Sequence, residues 1–212
     1  MMYMDRAKHE QPKLLEDNWE KWTKGYLINL EKNPKHILNM QNSEPKKKAY
    51  DEIIDKLLEI TKQHCAFCDS FPLGNRTIKP TIEHFKPKAK DKFPELAYEW
   101  DNLFPCCHYC QEKGDKFDEK LLKPDSEGYD FYNYFEFDNE TWEIRPTTRI
   151  DISKSDKERA KITIDIYKLN GKAEDIGNRR RDVRIERERQ MKLFLINSEP
   201  VFDDFPYRFM FY

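Results

Sequence analysis

The chain has 212 residues, enough for one core or for one core with a small satellite unit, and its 14% of aromatic residues argue against disorder. No segment has the apolar length of a membrane span, and the N-terminus lacks the apolar core of a signal peptide, so a cytoplasmic protein is expected. The net charge of −2 excludes a long-range attraction of the whole molecule for nucleic acid, so any nucleic-acid site must come from local lysine or arginine clusters.

Two amphipathic helices are predicted within residues 1–62, which we interpret as an N-terminal helical region. The first covers residues 12–31, where large apolar side chains recur at spacings of three and four: Leu15, Trp19, Trp22, Tyr26 and Leu30. The second runs from Ser43, a suitable capping residue, to about Thr61, and Pro45 is tolerated in its first turn.

Residues 63–120 lose this periodicity and contain two cysteine pairs, Cys65-Ala66-Phe67-Cys68 and Cys107-His108-Tyr109-Cys110. Each pair forms a tight loop that can direct two thiolates at one ion. Two such loops complete the closed four-sulfur coordination of structural Zn²⁺. An odd number of cysteines in a cytoplasmic chain argues against a disulfide framework. Chance spacing of four buried cysteines is the alternative, and Cys106 or His108 could replace Cys107 as a ligand.

Residues 121–212 are predicted to form a hairpin followed by a C-terminal helical region that packs on the N-terminal helices. Alternating apolar residues within 131–145 predict the hairpin. A helix is expected over 153–169, closed by Asn170-Gly171, and an arginine-rich helix over 173–196. The charges of this last helix are interleaved at spacings that predict an exposed, salt-bridged surface. The aromatic tail after Pro200 is predicted to return to the core.

Two further motifs lie between the cysteine pairs. The first is Thr81-Ile82-Glu83-His84-Phe85-Lys86-Pro87-Lys88, in which an acidic residue and a histidine end a predicted short strand. Neighbours on a strand point to opposite sides, so these two side chains need a bend in the chain to serve one site. The second motif, Tyr98-Glu99-Trp100-Asp101-Asn102-Leu103, leads into the second cysteine pair, which Gln111-Glu112-Lys113-Gly114 follows.

This order of features resembles the HNH endonuclease superfamily, the ββα-metal nucleases with accessory zinc. The forms Glu-His-Phe-Lys-Pro-Lys, Trp-Asp-Asn-Leu-Phe and Cys-Cys-His-Tyr-Cys-Gln-Glu-Lys-Gly are similar to its PtuB-like branch, the HNH proteins of Septu-type and some retron anti-phage systems. The resemblance covers residues 65–117. It implies an α+β, mainly helical fold in which a ββα-metal unit with a structural four-cysteine zinc site is flanked by helices and a small β-hairpin.

The resemblance also implies roles for four residues. His84 corresponds to the general base that deprotonates the attacking water, and Asn102 to the asparagine that braces the loop bearing this base. Glu83 and Gln111 correspond to the ligands of one catalytic Mg²⁺ or Mn²⁺ ion. Gln111 departs from the family, which usually has asparagine or histidine there, and Glu83 is longer than the aspartate of many HNH enzymes.

Four lysines are candidate contacts to the nucleic-acid backbone: Lys86, Lys88, Lys113 and Lys116. A solvated helix face explains the last two equally well. The resemblance implies an ABC-type ATPase (PtuA-like) as partner in a defence complex. Two alternatives remain open, a catalytically silent zinc protein that binds protein or nucleic acid, and an RNA target such as tRNA in place of DNA.

Overall fold

The computed structural model describes residues 1–38, 40, 44–74, 79–171 and 183–211. Its helices are α1 (Lys13–Glu16), α2 (Trp19–Lys32), α3 (Lys46–Thr61), α4 (His108–Gln111), α5 (Phe131–Tyr134), α6 (Lys154–Tyr167) and α7 (Val183–Ile196). Its strands are β1 (Thr81–His84), β2 (Leu103–Cys106), β3 (Phe135–Asp138) and β4 (Glu143–Pro146). The predicted α+β class is confirmed. None of the helices in this described part combines the length and the apolar character that crossing a bilayer requires.

The N-terminal helices follow the predicted apolar stripe. Leu15, Trp22, Tyr26 and Leu30 are buried, and the ring of Trp22 packs 5.6 Å from that of Tyr98, so it belongs to the core. The single predicted helix is divided at Asn18, whose side-chain amide donates to the Leu14 carbonyl at 3.0 Å.

The second helix, α3, begins at Lys46 after Pro45, slightly later than predicted. Ser43, the predicted cap, lies outside the described residues.

The central sheet consists of β1 and β2, which pair antiparallel with Thr81 opposite Cys106 and His84 opposite Leu103. The chain then passes from β2 directly into α4. The first cysteine loop is joined to this sheet, because the amide of Ala66 donates to the carbonyl of Pro105 at 3.0 Å. The sheet therefore holds both cysteine pairs on one framework.

The second sheet, β3 and β4, is the predicted hairpin. It begins only at Phe135, because the Asp130 side chain accepts from the Tyr132 amide at 2.8 Å and caps the short helix α5. The helix α6 begins close to its predicted start, and Ser153 caps it by accepting from the amide of Asp156 at 3.0 Å.

The predicted end of α6 is wrong. The helix stops at Tyr167, followed by Lys168 with a left-handed backbone at φ 49°. Asn170 does not close the helix, since its side-chain amide pairs with both backbone groups of Ile144 at 2.7 and 2.8 Å. This asparagine therefore joins the end of α6 to β4.

The C-terminal tail returns to the core, as predicted. The amide of Tyr207 donates to the Asp69 carbonyl at 2.8 Å, and the Arg208 guanidinium forms an ion pair with the Asp69 carboxylate at 2.7 Å. Phe209 stacks on Phe131 with ring centroids 4.8 Å apart. The tail thus holds the loop that directly follows Cys68.

The core draws side chains from all three predicted regions of the chain. Phe67, beside the first cysteine pair, stacks on Tyr167 of α6 with ring centroids 4.1 Å apart. Leu15 and Ile53 of the N-terminal region are equally buried. The division into 1–62, 63–120 and 121–212 stays a prediction.

Helix α7 carries the predicted surface ion pairs, such as Lys192–Glu188 at 2.6 Å, but one of its arginines is part of the core. Arg187 is fully buried and donates to the carbonyls of Trp142 (2.9 Å) and Leu169 (2.7 Å) and to the Asn170 side chain (3.1 Å). Burial lowers the pKa of this guanidinium to about 10, so the group is charged at neutral pH. Residues 173–182 of the predicted helix lie outside the described part of the chain.

Substitution of Arg187 by methionine is expected to lower the free energy of unfolding by about 3 kcal/mol. The reason is that the carbonyls of Trp142 and Leu169 would lose this donor without regaining water. The Asn170 oxygen would also lose a charged donor, although it keeps a backbone one. Urea denaturation measures this change. Arg189→Met, at an exposed position of the same helix, is the matched control and should change the free energy of unfolding by less than about 0.5 kcal/mol. Equal effects of the two substitutions would contradict the prediction.

Candidate metal centre and the adjoining cleft

Four cysteines meet where the loop after α3 approaches the junction of β2 and α4. The Sγ atoms of Cys65, Cys68, Cys107 and Cys110 all lie within 4.8 Å of one another. Sulfur atoms arranged tetrahedrally around Zn²⁺, each about 2.3 Å from the ion, would be roughly 3.8 Å apart. The Cys68 and Cys107 sulfurs are already 3.6 Å apart. The predicted ligand set therefore fits a structural zinc ion.

The structure also separates Cys107 from its predicted competitors. The Cys106 sulfur contacts the Thr81 hydroxyl at 3.1 Å instead of the other thiols. His108 is exposed, and its ring lies against that of Tyr109. Neither residue belongs to the group of four.

The thiol cluster favours negative charge at one of its members. The pKa of Cys68 is held well below its usual value by hydrogen bonds from Cys107, Cys110 and Cys65. Burial raises the pKa of Cys65, and hydrogen bonds with the neighbouring thiols raise that of Cys110. Because thiolates are the form that binds metal, a bound cation would be needed to keep all four sulfurs deprotonated.

His84 ends strand β1 and is almost completely buried, with 7% of its surface exposed. Its Nε2 lies 2.9 Å from the carbonyl oxygen of Ala97. Since a carbonyl can only accept, Nε2 carries the proton and the lone pair of the neutral ring is on Nδ1. Burial, and then the charge of Lys88, lower the pKa of His84 to about 3, so the ring is neutral at pH 7.

Asn102 fixes the chain that follows His84. Its side-chain oxygen accepts from the amide of Lys86 at 2.7 Å, and its side-chain nitrogen donates to the carbonyls of Lys86 (3.0 Å) and Leu96 (3.1 Å). Its own carbonyl accepts from the amide of Phe85 at 2.9 Å. One buried side chain thus connects the turn after β1 to the segment that precedes β2.

Three predicted site residues, His84, Lys88 and Gln111, line one cleft of about 320 Å³. Gln111 is exposed at the end of α4, and Lys88 is half-buried, which lowers the pKa of its ammonium group. The rest of the cleft is lined by Thr81, Ile82, Leu38, Met40 and Tyr50. A neutral imidazole, a cation and an amide therefore border the same space.

Glu83 is not among the described residues that line this cleft. Its carboxylate accepts from the ammonium group of Lys113 at 2.8 Å, and both side chains are buried. Burial raises the pKa of Glu83 to about 7, against the opposing influence of Lys113. Strand alternation accounts for this separation, because neighbouring side chains on β1 point to opposite sides.

The remaining predicted phosphate contacts lie in three different environments. The Lys113 ammonium group is fully buried, so the phosphate contact predicted for it does not fit this arrangement. Lys86 places its ammonium group 5.0 Å from the centre of the Phe93 ring and 5.7 Å from that of Phe117. Lys116 is exposed and is not among the described residues of the cleft.

Glu83 and Gln111 do not fit a shared divalent ion as they stand. Carboxylate and amide oxygens are suitable ligands for Mg²⁺. The Glu83 carboxylate, however, is already bound to a cation, the Lys113 ammonium group, and only Gln111 borders the cleft with His84. We therefore assign no catalytic step to such an ion.

Two features of the cleft could not be foreseen from the sequence. The first is the Ala97 carbonyl, which fixes the tautomer of His84. Any residue at this position supplies the same backbone oxygen, so no side-chain signal exists. The second is the apolar wall formed by Leu38, Met40 and Tyr50, because no local pattern in the sequence places these residues beside His84.

No family model matches the chain. A stretch of 64 residues is 36% identical to the Septu protein PtuB of Bacillus thuringiensis. It covers 30% of this chain and 24% of PtuB, so the match spans about a quarter of that relative's length. Part of the chain is therefore similar to a Septu protein.

Proposed function

We propose that this protein is an HNH endonuclease with a structural zinc site and that it hydrolyses phosphodiester bonds in nucleic acid. One observation carries the proposal: His84, with its Nε2 proton held by the Ala97 carbonyl, shares a cleft with Lys88 and with Gln111, which directly follows Cys110 of the four-cysteine group. The sequence motifs have these residues in the order of an HNH nuclease, and part of the chain is similar to PtuB. The sheet β1–β2 followed by α4 supports the proposal, because an HNH nuclease requires two strands and a helix in this order.

In the proposed reaction, Nδ1 of His84 accepts a proton from a water molecule as the water oxygen attacks phosphorus. The bond from phosphorus to the leaving oxygen breaks, and solvent supplies the proton that this oxygen takes up. The ammonium group of Lys88 stabilises the added negative charge on the phosphate. Asn102 keeps the turn after His84 in place through its three side-chain hydrogen bonds. The family resemblance implies products with a 5′-phosphate and a 3′-hydroxyl.

We further propose that the nuclease acts in an anti-phage complex with an ABC-type, PtuA-like ATPase in the cytoplasm. The support is the similarity to a Septu protein, together with the net charge of −2. A nuclease without a long-range attraction for nucleic acid binds it poorly when alone. If a partner supplies the binding surface, the nuclease does not cut the nucleic acid of its host in the partner's absence.

A catalytically silent zinc protein is the second candidate. Two observations favour it: the family position of a catalytic-ion ligand is occupied by Gln111, and Lys113 neutralises the carboxylate of Glu83. Such a protein would keep the zinc-bound scaffold and use it to bind protein or nucleic acid.

Cleavage assays separate these candidates. The chain is incubated with Mg²⁺ or Mn²⁺ and with DNA or tRNA, alone and after co-purification with the ATPase. We expect cleavage by the complex and weak cleavage by the chain alone, with His84→Ala as the inactive control. Strong cleavage by the isolated chain at physiological salt would contradict regulation by the partner. Absence of cleavage in every preparation would favour the silent zinc protein.

A further inference from the structure

Lys113 is a buried lysine whose ammonium group is completely surrounded by acceptors. Its side chain has no exposed surface. Nζ donates to Glu83 Oε1 at 2.8 Å, to the carbonyl of His84 at 3.0 Å and to the carbonyl of Gly114 at 3.3 Å. An ammonium group has three N–H donors, so these three oxygens satisfy all of them. Lysine is almost never fully buried unless it is paired, and here the pair is Glu83.

We propose that Lys113 blocks the binding of divalent cations to the Glu83 carboxylate, so that the lysine and a metal ion compete for this group. The inference rests on the proposed function for its meaning, since Glu83 matters as a ligand only in a nuclease. An ion bound to either oxygen of this carboxylate would lie within roughly 5 Å of the ammonium group. Two cations at that distance in a buried site repel each other strongly. A divalent ion can therefore reach Glu83 only after Lys113 leaves.

Removal of the lysine charge is expected to open the site. In Lys113→Met, the carboxylate of Glu83 would be buried without a partner, which is costly for the charged form. A hard cation such as Mn²⁺ is the natural replacement, because it supplies the missing positive charge to an oxygen ligand. Lys113→Gln removes the same charge with a smaller polar side chain and serves as the second variant if Lys113→Met folds poorly.

Binding of Mn²⁺ to the zinc-loaded chain tests the competition, with free Mn²⁺ followed by electron paramagnetic resonance at pH 8. We expect Lys113→Met or Lys113→Gln to bind Mn²⁺ at least about tenfold more tightly than the native chain. Adding Glu83→Gln to either variant should abolish this gain. Lys116→Met removes a charge from an exposed position close by in the sequence and should leave Mn²⁺ binding unchanged.

The single variant Glu83→Gln provides a check that needs no change at Lys113. Its Mn²⁺ affinity should equal that of the native chain, because the carboxylate is already taken. A tenfold loss in this variant, or unchanged affinity in both Lys113 variants, would overturn the proposal. Binding of Mn²⁺ is measured without substrate, so its result does not depend on cleavage. The competition can be confirmed in a chain that never cleaves nucleic acid, and it can be refuted in a chain that does.

Discussion

Cys107→Ser is expected to release the zinc ion and unfold the centre of the molecule, whereas Cys106→Ser leaves both intact. The Cys107 sulfur belongs to the group of four, and the adjacent Cys106 sulfur contacts the Thr81 hydroxyl instead. Structural zinc contributes about 10 kcal/mol or more of folding free energy, against a total stability of about 5–15 kcal/mol for a typical domain. Loss of one thiolate therefore removes a large part of what keeps this unit folded.

The measurement combines zinc content per chain with thermal unfolding. We expect close to one zinc ion per chain for the native protein and for Cys106→Ser, and a strongly reduced content for Cys107→Ser. A chelator should destabilise the native chain in the same way. Full zinc content in Cys107→Ser, or its loss in Cys106→Ser, would show that the ligand set is wrong.

The features that could be predicted from the sequence are those that depend on local spacing. Two residues separate the cysteines of each pair, which is enough to predict two ligands from one loop. The apolar stripe of α2 and the start of α6 near Ser153 are equally local, and the structure confirms both. The end of the strand at His84 was predicted from the residues directly around it.

The features that could not be predicted depend on contacts between distant segments. Lys113 and Glu83 are 30 residues apart, and nothing in either motif indicates that one neutralises the other. Arg187 stands in a charged run typical of an exposed helix, and only the approach of Trp142 and Leu169 makes it a core residue. The sequence predicts Asn170 as a helix end because its partner in the structure, Ile144 of β4, is remote in the sequence.

His84→Ala is expected to reduce phosphodiester cleavage roughly 100- to 10,000-fold, the range that a general base contributes. The rate constant of cleavage is measured for the complex with its ATPase under single-turnover conditions, so that substrate binding does not limit it. Zinc content should stay at the native level, because the side chain of His84 does not belong to the four-cysteine group. A cleavage rate within a factor of ten of the native rate would exclude His84 as the base.

Asn102→Asp tests whether the position of this base matters, with almost no change in side-chain shape. The carboxylate would still accept from the Lys86 amide, but it would face the carbonyls of Lys86 and Leu96 without a proton to donate. The loss of two donated hydrogen bonds and the burial of a charge should move the turn after His84, with an expected loss of roughly 10- to 100-fold in rate. If the turn were irrelevant to the reaction, this variant would lose stability while its folded fraction cleaved at the native rate.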